Sequence, residues 1–108
     1  MVVDELDGVD RIFHALADAT RRDILAQVIR HERSVSSLAQ LYPMSFAAVQ
    51  KHVAVLERAA LVTKQKRGRE QIVHGNPAAL AEATRLLNAY EQLWRHRAGR
   101  IEQILAED

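Results

Sequence analysis

The stretch that most constrains this chain is its last third, where Leu80, Leu87, Trp94 and Ile101 recur every seven residues and Ala83, Tyr90, Arg97 and Ile104 fall between them. Seven residues return to the same helix face after two turns, so these positions form one seam whose only charge is Arg97. Leu86 and Leu93 widen it. Asn76 supplies an N-cap and Pro77 the favoured first helical residue, so the pattern predicts one helix over 77–106. At 1.5 Å per residue that helix is roughly 45 Å long. A chain of 108 residues makes one small domain, which has too little surface to cover such a seam itself. A second copy of the chain is therefore expected against Leu87, Tyr90, Trp94 and Ile101, giving an obligate homodimer.

Upstream, four shorter helices are expected. Leu6, Val9, Phe13 and Leu16 recur at helical spacing, with Asp4, Glu5 and Asp7 placed to favour the N-terminal dipole. Asp18 is suited to cap a second helix through Ile24, Leu25 and Val28 that closes near Arg30 and His31. Ser34 or Ser36 caps a short third helix holding Leu38, Ala39 and Leu41, which Tyr42-Pro43 ends. Ser45 then caps a fourth, from Phe46 to about Ala59, whose buried stripe is Val49, Val53 and Leu56. Phe46, Ala47, Gln50 and Lys51 are left on its other faces.

The runs Leu61–Lys66 and Glu70–His74 flank Arg67-Gly68-Arg69 and read as a β-hairpin with a basic tip. The net charge of +1 hides this asymmetry. Residues 51–69 hold Lys51, Arg58, Lys64, Lys66, Arg67 and Arg69 against the single acid Glu57, a block suited to a polyanion, while the opening segment is acidic.

Two short helices joined by a tight turn and followed by a basic hairpin have the order of a winged helix-turn-helix. The fold class expected is therefore mainly α with a small β-hairpin, one domain over 1–108. It divides into a helix-turn-helix at 34–59, a wing at 61–75 and a dimerisation helix at 77–106. Ala39, Met44 and Val49 stand where such a motif needs a small residue, an apolar plug and a buried anchor. Pro43 occupies the turn position where glycine is usual; it cannot adopt positive φ, so a different turn geometry is expected.

Three segments in order, Ala15 to Leu25, Met44 to Glu57 and Ala60 to Thr63, carry a resemblance to the ArsR/SmtB family of bacterial repressors over about residues 10–106. The resemblance implies a dimeric repressor on double-stranded DNA. Its fourth helix enters the major groove, its wing touches the backbone or minor groove, and its terminal helices build the dimer, which brings Leu6, Val9 and Phe13 into the interface. Ser45 and the free N–H groups after it suit a phosphate. Gln50 suits adenine and Lys51 guanine. Phe46 and Ala47 depart from the polar residues of many relatives and offer contact only to thymine methyls, with packing an equal role for Phe46. Lys64, Arg67 and Arg69 are expected on phosphates or in a minor groove.

No metal site, cofactor or catalytic group is expected. The chain has no cysteine, and Ser34, Val35 and Ser36 stand where many relatives carry metal-binding cysteines. The five histidines are dispersed, and neither a phosphate-cradling glycine loop nor a nucleophile motif occurs. No apolar run reaches the roughly 18 residues of a spanning helix, and the acidic start is unlike a secretory leader, so a cytoplasmic location is expected. No inducer is named by the sequence. Two other functions fit the same pattern, a sequence-tolerant architectural DNA binder and an interaction protein that kept the fold.

Overall fold

The computed structural model describes residues 2–107, with side chains from Gly8 onward. Its elements run α1 (Val2–Leu16), α2 (Ala19–Arg30), β1 (Arg33–Ser34), α3 (Val35–Ala39), α4 (Phe46–Arg58), β2 (Val62–Arg67), β3 (Glu70–Gly75) and α5 (Pro77–Ala106). This is a mainly helical winged helix-turn-helix with one small antiparallel sheet, ordered β1-β3-β2. The two-residue strand β1, absent from the sequence expectation, pairs Arg33 with Val73 and Ser34 with Ile72. It is too short to show a periodicity, and it makes the expected hairpin a three-stranded sheet.

Helix entries follow local side-chain chemistry. Asp18 accepts the Arg21 N–H at 2.9 Å, Ser34 accepts that of Ser37 at 3.0 Å and Ser45 that of Ala48 at 3.1 Å. Ser34, not Ser36, is thus the cap of α3. Asn76 caps α5 through Ala78, and its amide also donates to the Ala60 carbonyl at 2.8 Å, tying the end of α4 to the start of α5. α4 ends in a left-handed residue, Ala60, with φ 59°. The Leu61 N–H reaches Leu56 O at 3.0 Å and the Ala60 N–H reaches Glu57 O at 2.9 Å, the bond pair of a Schellman motif built without glycine.

The core gathers Ile12 and Ala15 from α1, Ile24, Leu25 and Val28 from α2, Val35 and Leu38 from α3, and Val49, Val53 and Leu56 from α4. Leu61, Val62 and Val73 close it from the sheet, and Ala79 and Ala83 from the first turns of α5. Ala39 and Met44 pack at its edge, as the helix-turn-helix spacing requires. Between α3 and α4 the Met44 N–H bonds to Tyr42 O at 2.9 Å across Pro43. That three-residue turn suits the φ that proline fixes and needs no glycine. The Tyr42 hydroxyl donates to Asp23 at 2.6 Å, fastening the turn to α2, and burial with this carboxylate beside it pushes the phenol well above its ordinary value.

From Leu87 onward every described residue of α5 is exposed, and the molecule measures 70 × 33 × 20 Å. Among the described residues no helix is long and apolar enough to cross a membrane.

Candidate nucleic-acid interface

The stripe Val49, Val53 and Leu56 is 0–1% exposed and fixes the roll of α4. Because a helix turns 100° per residue, burying that stripe leaves Ala47, Gln50 and Lys51 exposed along the N-terminal half, whereas Phe46, expected on another face, lies three residues before Val49 and seven before Val53 on the stripe's own face and is exposed at the helix entry. Ser45 is exposed beside them, its hydroxyl engaged by Ala48. The N–H groups of Phe46 and Ala47 lie in the first turn, where no intrahelical carbonyl is available, so the helix entry remains a donor site for an anion.

Phe46 and Gln50 also line a cleft of about 240 Å³ between α4 and the sheet, with Lys64, Arg69 and Gln71 opposite. Phe46 is 46% exposed there, so its ring neither joins the core nor stands fully free. Of the residues expected to meet DNA, the fold thus brings Phe46, Gln50, Lys64 and Arg69 around one groove, with Ala47 and Lys51 on the outer side of the same helix.

The wing cations differ in a way their sequence does not show. Lys64 pairs with Glu57 of α4 at 3.3 Å, bridging α4 and the wing. Arg67 is not part of the turn but the last residue of β2, in register with Glu70, so the turn reduces to Gly68 and Arg69, with Gly68 at φ 64°. Its guanidinium donates to Glu32 at 2.8 Å. Glu32 also holds His74 Nδ1 at 3.1 Å, and the hydrogen bond from Arg67 keeps the Glu32 carboxyl below its ordinary range. Arg69, at the tip, has no ion pair among the described residues. Glu32 and Glu57 are the interface-shaping residues that sequence reading missed; they act across the fold, and no local motif marks them.

Arg21 and Arg22 are used inside the chain. Arg21 donates to the carbonyls of Ala15 at 2.8 Å and His14 at 3.2 Å and sits 3.2 Å from His52 Nδ1, while Arg22 donates to Leu16 O at 2.8 Å. These cations cap the C-terminus of α1.

Among the expected interface residues on the terminal helices, Phe13 is 37% exposed, Leu87 52%, Tyr90 55%, Trp94 68% and Ile101 50%. Val9 is half-buried, and Leu6 lies outside the described side chains. Arg97, the one charge on the seam, lies over the Trp94 ring at 5.5 Å, which lets a cation sit on an apolar stripe.

Comparison with known proteins bears on this geometry. The HTH-type transcriptional regulator Rv2034 of Mycobacterium tuberculosis is 36% identical over 92 residues, covering 78% of this chain and 86% of that protein. The structure of an ArsR-like transcriptional regulator from Rhodococcus sp. RHA1 superposes with a TM-score of 0.80 at 35% identity, covering 94% of this chain and 95% of the other. The chain belongs to the ArsR family of transcriptional regulators. No family model matches it. A homodimeric winged helix-turn-helix DNA-binding domain of Mycobacterium bovis, a possible ArsR-family regulator, shares the fold with a TM-score of 0.68 at 22% identity, covering 83% of this chain and 84% of the other.

This ArsR-family chain does not offer the cysteine metal site its sequence position would allow. Ser34 Oγ is occupied as the α3 cap, Val35 is buried and aliphatic, and serine is a poor zinc ligand. Among the described residues no group of three or more histidine, cysteine or acidic side chains is gathered.

Proposed function

We propose that this chain is a sequence-specific DNA-binding repressor that acts as a homodimer on an inverted-repeat operator. The observation that carries the reading is the α4 surface, a helix entry with free N–H groups followed by exposed Gln50 and Lys51, held from behind by Val49, Val53 and Leu56 and flanked by a cationic wing. In this reading the Phe46 and Ala47 N–H groups meet a phosphate and set the register. Gln50 pairs bidentately with adenine and Lys51 donates to guanine, while Phe46 and Ala47 meet thymine methyls. Arg69 and the rest of the wing neutralise backbone charge. Binding is the whole of the activity; no catalytic group enters it.

The dimer follows from the exposed seam. Leu87, Tyr90, Leu93, Trp94, Ile101 and Ile104 form an apolar face left exposed by the described residues, and a second copy is the occupant that repeats its spacing. Phe13 and Val9 border that interface from α1. The homodimeric state of the M. bovis domain supports this assignment. Two-fold symmetry sets the recognition helices about one DNA turn, roughly 34–36 Å, apart or a multiple of it.

The test is a fluorescence-anisotropy titration against DNA from upstream of the gene for this protein and against a shuffled control, across salt concentrations. Tight binding to the native fragment alone is expected. Gln50→Ala should lose about 1–3 kcal/mol of discrimination at one base position per half-site. Equal, salt-steep binding to both fragments would instead identify an architectural DNA binder, and no binding to either would identify an interaction protein on the same fold, the reading that the weakly polar Phe46-Ala47-Ala48 start of α4 favours.

A further inference from the structure

Arg67 belongs to the wing by sequence, but its charge is already spoken for. Glu32 follows α2 and immediately precedes β1, whose Arg33 pairs with Val73 of β3. Val73 in turn faces Lys64, three residues short of Arg67 along β2. To reach Glu32, the Arg67 side chain must therefore turn back from the wing tip and cross β3 toward the base of the sheet. There its Nη1 meets Glu32 Oε1 at 2.8 Å while Glu32 Oε2 meets His74 Nδ1 at 3.1 Å, so both carboxylate oxygens are engaged. A guanidinium folded onto a carboxylate in this way is neutralised before any polyanion arrives, with its Nη1 committed to Glu32.

We infer that Glu32 is a clasp on the wing, an internal stand-in for a DNA phosphate that withholds Arg67 from the nucleic acid until it is displaced. This rests on the reading of the wing as a phosphate-contacting element. Two features make the clasp able to open. Arg67 and Glu32 are 55% and 46% exposed, and an exposed pair of this kind is held only weakly. The competitor has the same chemistry, since a phosphate takes the planar guanidinium as readily as a carboxylate does. Arg69 provides the contrast, a tip cation ready for a phosphate from the outset. Glu32 is thus a positioning residue, acting on DNA affinity through Arg67.

The experiment is a double-mutant cycle of Glu32→Gln and Arg67→Gln in the full chain, read as DNA affinity and as the slope of log affinity against log salt. Both sites are exposed, and circular dichroism melts establish that each variant folds. Glu32→Gln is expected to bind about two- to fivefold tighter per wing, the fold-change that an exposed pair is worth. Its salt slope should stay unchanged, because once a phosphate has displaced Glu32 the same phosphates are neutralised in both complexes. In the Arg67→Gln background, Glu32→Gln should change neither quantity. The same gain in both backgrounds would overturn the clasp in favour of plain repulsion between Glu32 and DNA. A loss of affinity in Glu32→Gln would also overturn it, showing that Glu32 props the wing in its binding pose. If no variant, nor the parent, bound DNA in a salt-dependent way, the reading of the wing itself would fall and the clasp with it.

Discussion

α4 and α5 start alike and end differently. Each is entered through a neutral polar cap, Ser45 or Asn76, and each carries an apolar stripe at helical spacing. The 13 residues of α4 bury their stripe within their own chain, with Val49, Val53 and Leu56 at 0–1% exposure. The 30 residues of α5 bury Ala79 and Ala83, and the stripe then continues, left exposed by the described residues, out to Trp94 at 68% exposure. A stripe covered by its own chain frees the opposite face for a ligand, as on α4. A stripe that outruns its chain is itself a binding surface, and on α5 the proposed occupant is a second copy of the chain.

The two stripes should answer mutation on different scales. The largest effect belongs to Leu56→Ala, which removes a fully buried side chain and should lower unfolding free energy by about 2–5 kcal/mol, measured by urea denaturation. Trp94→Arg should leave the folded body of each protomer intact. What it should abolish is association, with sedimentation moving to monomer and the midpoint of thermal unfolding ceasing to depend on protein concentration. A hot-spot aromatic of this type is worth about 2 kcal/mol or more, roughly thirtyfold in the dimer constant. An unchanged dimer for Trp94→Arg would erase the contrast between the helices, because the α5 seam would then need some other occupant.

What could be read in the sequence divides along a related line. The caps Asp18, Ser45 and Asn76, the stripe of α4 and the seam of α5 were legible because each is a relation among residues a few positions apart, where chain geometry dictates contact. β1 was not, since two residues carry no period and pair only because α2 delivers them beside β3. The Schellman end of α4 was hidden by Ala60 in a position where glycine is the usual signal. Pro43 was legible as a departure, but the Tyr42–Met44 bond that answers it was not. In the candidate interface, the exposure of Ala47, Gln50 and Lys51 followed from the roll of the helix, while that of Phe46, on the face of the buried stripe, did not. The fates of Lys64 and Arg67 did not, because their partners Glu57 and Glu32 lie 7 and 35 residues away in sequence and meet them only through the fold.

The smallest expected effect separates the helices by pH. α4 and α5 have neutral caps, whereas α2, which packs against α4, is entered through the charged Asp18. The backbone N–H of Arg21 bonded to Asp18, with the charges of Arg21 and His52 nearby, holds this carboxyl below its ordinary value. A depressed folded-state pKa contributes stability that is complete above the unfolded-state value, about pH 4, and is lost as pH falls through the folded-state value. Acid should therefore loosen the α2–α4 body while leaving the neutral caps of α4 and α5 uncharged and in place. Asp18→Asn keeps a good cap and removes the titration. Urea midpoints followed from pH 6 to pH 3 should fall less steeply for Asp18→Asn than for the parent, with Glu32, whose carboxyl is also depressed, contributing the same acid loss to both. Parallel curves would place the acid sensitivity elsewhere than at the entry to α2, and the charged cap would then make no difference between the body that supports α4 and the seam carried by α5.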